Sequence, residues 1–177
     1  MDRLARFGVV GILGMVLLGG IGAKEKEELS PPPAAASQEA EVVGVVLDPQ
    51  TQQPSVILQG KRDKRHFAMA IGLAEANGIA IPLQGVTPPR PLTHDLFLTL
   101  FGRLKVNLTR VVITDLRDNI YFAVVHLSVN GSEMTLDSRP SDAIALAIRA
   151  RAPILVEDRV FDKSETLQPH SAPIPHI

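Results

Sequence analysis

The chain has 177 residues, 45% of them hydrophobic and 21% charged, with a formal net charge of −1, which suits one ordinary globular domain with extensions. It contains no cysteine, so disulfides, thiolate zinc sites and a lipid-modified cysteine are excluded. From Ala40 onward 14 Lys and Arg face 14 Asp and Glu, which argues against strong, salt-sensitive binding of long polyanions, and no Trp, one Tyr and six Phe leave few platforms for stacking bases.

Arg3 and Arg6 precede an apolar run from Phe7 to Ala23 that reads as the charged and hydrophobic parts of an export signal. The run carries six glycines in 17 residues, and at about 1.5 Å per residue it reaches only ~25 Å, short for a membrane span. With Gly20-Ile21-Gly22-Ala23 as a small-residue cleavage pattern, a cleaved signal over residues 1–23 is favoured above an uncleaved membrane anchor. Either one predicts an exported, periplasmic or otherwise extracytoplasmic domain. Residues 24–40, with mixed charges and three prolines, read as a disordered linker.

The domain is expected over residues 41–163. Val42 to Leu47 and Ser55 to Gln59 read as a hairpin, followed by the dense basic cluster Lys61-Arg62-Asp63-Lys64-Arg65 and a third strand from Phe67 to Ile71. A solvated loop is the plain reading of that cluster; the sharper one has Lys64 and Arg65 touching a phosphate. From Gly72 the apolar spacing suits a helix to about Ile79, but Asn77-Gly78 and Pro82 weaken it, since an interior proline costs about 3 kcal/mol. Thr93-His94-Asp95 opens a second helix reaching about Lys105, with Thr93 as the expected N-cap and Leu96, Phe97, Leu100, Phe101 and Leu104 at helical spacing. Val106 to Thr114, Ile120 to Asn130 and Glu133 to Asp137 form a meander, turned first at Asp115 to Asn119 and then at Asn130-Gly131, a strong hairpin signal.

Asp137 to Arg151 is the most tightly specified stretch. Pro140 fits the first helical position with Ser138 or Arg139 just outside it, Ser138 is the expected capping oxygen, Asp142 meets the helix dipole, and Ala143 to Ile148 carry no polar side chain, which predicts a helix buried on most of its surface. A short strand from Ile154 to Val156 and a helical turn from Asp158 to Asp162 follow, and residues 164–177 read as a flexible tail. The pattern predicts an α+β fold, a single domain with a mixed, mostly antiparallel sheet and helices packed on it.

Three segments, Pro88 to Phe97, Val111 to Ala123 and Leu136 to Val156, together resemble the bifunctional nuclease domain family. Their motifs are a Pro-Leu-Thr-His-Asp-Leu helix start, a Thr-Asp-Leu-Arg-Asp hairpin and a Ser-Arg-Pro-Ser-Asp-Ala helix start, and Val42 to Asp162 is covered in order. The resemblance implies an α+β domain, often self-associating, that hydrolyses the phosphodiester bonds of DNA, RNA or both. One departure is Ala68 to Glu75, where the family's strand carries a bulky aromatic and this chain does not; an export signal is another.

Phosphodiester hydrolysis needs an activated water and positive charge on the developing phosphorane. The candidate catalytic residues are therefore His94, Asp95, Asp118, Arg139 and Asp142, with Arg117, Ser141, Lys64 and Arg65 as substrate contacts. If a divalent cation assists, Mg²⁺ or Mn²⁺ is expected on Asp118 and Asp142. No H-x-H, H-E-x-x-H or D-x-D spacing signals a preformed metal site. Capping is the plain alternative for Asp95 and Asp142, and pairing with Asp115 and Asp137 the plain alternative for Arg117 and Arg139. The expected partners are nucleic acid, weakly bound, and further copies of the chain, with membrane contact only through an uncleaved N-terminal segment. The competing reading is a non-catalytic binding or assembly module of the cell envelope.

Overall fold

The computed structural model describes residues 36–167. The expected signal or anchor lies outside them, as do the linker up to residue 35 and the tail beyond 167. Among the described residues no helix is long and apolar enough to cross a membrane.

These residues form strands β1 (Ser37–Leu47), β2 (Pro54–Gly60) and β3 (His66–Ala70), then helices α1 (Leu73–Leu83) and α2 (Thr93–Arg103). Strands β4 (Val106–Arg117), β5 (Ile120–Val129) and β6 (Ser132–Ser138) follow, and α3 (Pro140–Ala150), β7 (Ile154–Glu157) and α4 (Asp158–Leu167) complete the order. The strands make one sheet in the order β3-β2-β1-β7-β4-β5-β6, in which β7 runs parallel to β4 and every other neighbouring pair is antiparallel. This is an α+β fold with a mixed, mostly antiparallel sheet. Two-residue reversals at Asp118-Asn119 and Asn130-Gly131 place both central residues at positive φ, the backbone that matches strand twist in tight hairpins.

Period-2 alternation sends one side of the sheet into the core. Val56 and Leu58 of β2 stand opposite Met69 and Phe67 of β3, and Val111 and Ile113 of β4 opposite Val125 and Ala123 of β5, all buried. The small residues of α3, Ala143, Ala145 and Ala147, are fully buried among these strands, so the helix lies close to the sheet. Arg151 ends it in the left-handed conformation at φ 53°, and the Ala152 N–H donates back to the Ala147 carbonyl.

Several local expectations are corrected. The first strand begins at Ser37, inside the expected linker, because Ser37 to Ala40 pair with β7 and Gln38 is buried. The last helix runs to Leu167 instead of stopping at Asp162, and Ser164, expected in the tail, is 1% exposed, with its hydroxyl 3.1 Å from the Tyr121 phenol. Leu92 is the N-cap of α2, not Thr93, and its N–H donates to Asp95 Oδ2 at 2.8 Å. Arg139 is the N-cap of α3, while the Ser138 hydroxyl donates to the Arg139 carbonyl instead of capping the helix.

The first helix also continues past its expected end, through Pro82. A proline there withholds the N–H that the Gly78 carbonyl, four residues earlier, would accept. Arg149 Nη1 of α3 donates to that carbonyl at 2.6 Å. The break written in the sequence is thus mended by a side chain 71 residues away.

Candidate active site

The first turns of three helices meet on one side of the domain. Glu75 comes from α1, His94 from α2 and Asp142 from α3, and Arg139, the N-cap of α3, lies between them. Arg139 Nε donates to Asp142 Oδ2 at 2.7 Å, Nη2 to Asp142 Oδ1 at 3.2 Å, and Nη1 to Glu75 Oε1 at 2.8 Å. Asp142 first and Glu75 second push the guanidinium pKa further up, so its charge is permanent. These bonds use three of five N–H groups, and the side chain stays 65% exposed, leaving two donors for an anion. Three converging helix N-termini add positive potential at the same place.

His94 Nε2 lies 3.4 Å from Asp142 Oδ1, long for a hydrogen bond, as catalytic pairs commonly are without substrate. Its ring is 15% exposed and rests against Gly78 of α1. A Cβ at position 78 would stand 2.9 Å from His94 Cε1 and 3.4 Å from Nδ1. The missing side chain therefore lets the Cε1–Nδ1 edge of the imidazole lie against α1, and His94 lines a cavity of about 490 Å³ together with Glu75, Asn77, Arg139 and Asp142. Gly78→Ala is expected to raise helix propensity by roughly 1 kcal/mol while pushing the ring aside. The expected outcome is a melting temperature unchanged or higher, read by thermal denaturation, together with a displaced His94 ring, read from its NMR resonances; an unmoved ring would remove Gly78 from the site.

Of the remaining candidates, Ser141 is buried and borders a neighbouring cavity with Glu75, Arg139 and Asn119. The β4–β5 turn reaches this cavity, but it presents Asn119 there, while Asp118 lies at φ 50° on the exposed tip and does not line it. Asp118 lines neither this cavity nor the one that Asp142 borders, and among the described residues no three His, Asp or Glu side chains are grouped to hold a metal ion. Asp95 turns away from the cavity to bond Arg149 Nε at 2.8 Å. Burial pushes its carboxyl pKa up, yet the Leu92 N–H and Arg149 together hold it below 3.8.

Arg117 lies 3.4 Å from Asp115 and stacks 3.9 Å above the Phe122 ring, and Asp115 also binds Lys163 at 2.6 Å. Asp137 makes no pair with Arg139, which takes Asp142 and Glu75 instead. Lys64 and Arg65 sit at the opposite end of β3 from the α1 N-terminus. Arg65 is bound by Asp63, Asp158 and Asp162 and Arg62 by Asp158, so the two arginines of the cluster are neutralised by acids of α4 and of their own turn, while Lys61 pairs with Glu39 of β1 and Lys64 takes no part in these pairs. Burial raises the Asp63 pKa, but the Arg65 backbone and side chain and Gln38 bring it down to about 2. Glu75, Gly78 and Asn119 are the site residues that the motifs did not single out. Glu75 could have been found as the acid in the first turn of an interrupted helix.

The chain is similar to known proteins over most of this domain. A protein of Mycobacterium tuberculosis described as uncharacterized is 37% identical over 131 residues, which is 74% of this chain and 78% of that one. Bifunctional nuclease 1 of Oryza sativa subsp. indica is 24% identical over 121 residues, 59% of this chain and 37% of the rice protein, and the bifunctional nuclease of Oryza minuta matches equally. The model of the bifunctional nuclease domain matches residues 56–168, which include Glu75, His94, Asn119, Arg139 and Asp142. With that match extending from β2 past α4, the chain belongs to the bifunctional nuclease domain family.

Proposed function

We propose that the domain hydrolyses phosphodiester bonds of DNA or RNA at the Glu75–Arg139–Asp142–His94 cluster. The observation that carries this reading is the meeting of three helix N-termini around an arginine with two spare donors and a histidine open to a cavity. In this reading the Arg139 donors and the helix amides hold the phosphate and neutralise the charge that grows on its oxygens. With the Nε2 proton assigned toward Asp142, His94 Nδ1 keeps a lone pair to take a proton from the attacking water as its oxygen bonds to phosphorus; the P–O bond to the leaving sugar oxygen breaks, and solvent supplies that oxygen's proton. Asp142 orients the ring and stabilises the imidazolium, and Glu75 fixes the guanidinium. Glu75 and Asp142 already spend oxygens on Arg139, so they do not fit a resident Mg²⁺ or Mn²⁺, and no step is derived through one.

Export and self-association belong to this proposal on the strength of the sequence, as does membrane contact where the N-terminal segment stays uncleaved. The test is cleavage of single-stranded DNA and RNA by the purified chain, with and without Mg²⁺ or Mn²⁺. The parent is expected to cut, and Arg139→Ala to lower kcat/KM by about 10²-fold or more. A parent that cuts nothing under any of these conditions would leave the non-catalytic assembly module as the better reading.

A further inference from the structure

Beside the polar cavity lies a groove of about 360 Å³ whose apolar wall includes Phe97, Phe101, Val125 and Leu136 and which shares His94, Arg139 and Asp142 with the site. Helix α2 buries none of its residues fully, although it is rich in large apolar side chains. Phe97 remains 50% exposed, and its ring meets Phe101 edge to face at 6.2 Å. It follows His94 by three positions, so both side chains leave the same side of the helix about one turn apart.

Resting on the nuclease reading, we propose that this groove seats an unpaired nucleobase whose phosphate lies at Arg139, making single-stranded nucleic acid the substrate class. A nucleotide has the two chemistries found here side by side, a flat apolar ring system and an anion. The charged residues lining the groove are Asp137, Arg139 and Asp142, and Arg139 with its two spare donors is the cation among them, which sets the polarity: base against Phe97, phosphate toward Arg139. A base held in a duplex presents no free face to Phe97 and must leave the stack before it can enter. The scarcity of aromatic residues does not oppose this, because two of the six phenylalanines stand on α2 beside the site.

The test uses the purified full-length chain and two probes, adenosine 5′-monophosphate and ribose 5-phosphate, with cleavage of one labelled strand measured alone and as a duplex. Adenosine 5′-monophosphate is expected to bind about fivefold or more tightly than ribose 5-phosphate, and the lone strand to be cut faster than the duplex. Phe97→Ala is expected to erase the difference between the probes and to raise KM for the single strand more than it lowers kcat, while Leu104→Ala, at the far end of α2, changes neither. Equal affinity for the two probes, equal cutting of strand and duplex, or an unaltered KM in Phe97→Ala would overturn the proposal. So would a Phe97→Ala chain whose molar mass by light scattering falls while its nucleotide binding is kept, since the groove would then be a contact between copies. A parent that cuts nothing sinks the nuclease reading, and the paired titrations still decide the groove.

Discussion

His94→Ala is expected to cost about 10²- to 10⁴-fold in turnover while leaving the melting temperature close to that of the parent. The ring lies between α1 and α3 without a bond that holds the two together; its polar contact is the 3.4 Å approach to Asp142, and Arg139 keeps Asp142 paired when the ring is gone. Free imidazole should restore part of the lost rate by entering the vacated space beside Gly78, and acetate should not. Asp142→Asn is expected to be at least as damaging, because that carboxylate serves both His94 and Arg139. In the His94→Ala background its further effect should shrink to the Arg139 share, since residues acting as a unit do not add. Turnover at the parent's rate in His94→Ala, with no response to imidazole, would remove the histidine from the chemistry.

The parts of the fold set by local pattern were legible from the residues. Period-2 alternation placed β4 and β5, Asn130-Gly131 placed the hairpin from β5 to β6, and the proline, acid and unbroken apolar run of α3 placed its start and its burial. His94, Arg139 and Asp142 were legible too, as the polar residues of two helix starts, and folding brings them together. What stayed hidden depended on partners far away in sequence. Nothing near Arg65 announces that Asp158 and Asp162 will pair with it from about 95 positions on, so a cluster whose plain reading is a solvated loop and whose sharper one is a phosphate contact has its arginines tied to α4. Asp118 misled for a different reason: in a two-residue turn with both φ values positive, which neighbour faces the cavity is set by the reversal, and it is Asn119. Glu75 was obscured because Asn77, Gly78 and Pro82 each argue against the helix that carries it. Gly78 is there for the ring of His94, and Pro82 is tolerated because Arg149 supplies the missing donor.

Arg149 is accordingly the residue whose loss should damage the domain most. Its side chain is 8% exposed and binds Asp95 of α2, the Gly78 carbonyl of α1 and the Ala145 carbonyl of its own helix, so one guanidinium ties together the three helices that build the site. Arg149→Met keeps much of the volume but leaves a half-buried carboxylate without its cation and a carbonyl without a donor. Breaking such a pair costs about 3–5 kcal/mol, or a fall in melting temperature of roughly 10 °C or more. The sign with pH follows from Asp95. Its folded pKa is held below 3.8 in the parent, so the stability it adds is complete above that value and is lost as pH falls through the lowered one. In Arg149→Met the same carboxylate is partly buried without a cation, and protonation relieves it, so the gap between parent and variant should be widest above about pH 4 and narrow in acid. Pro82→Ala supplies the second check: it returns an N–H to the Gly78 carbonyl and should recover about 1 kcal/mol or more in the Arg149→Met background, beyond whatever it adds to the parent. Equal effects of Pro82→Ala in both backgrounds, measured by urea unfolding at pH 7, would show that the arginine does not stand in for the proline's missing donor.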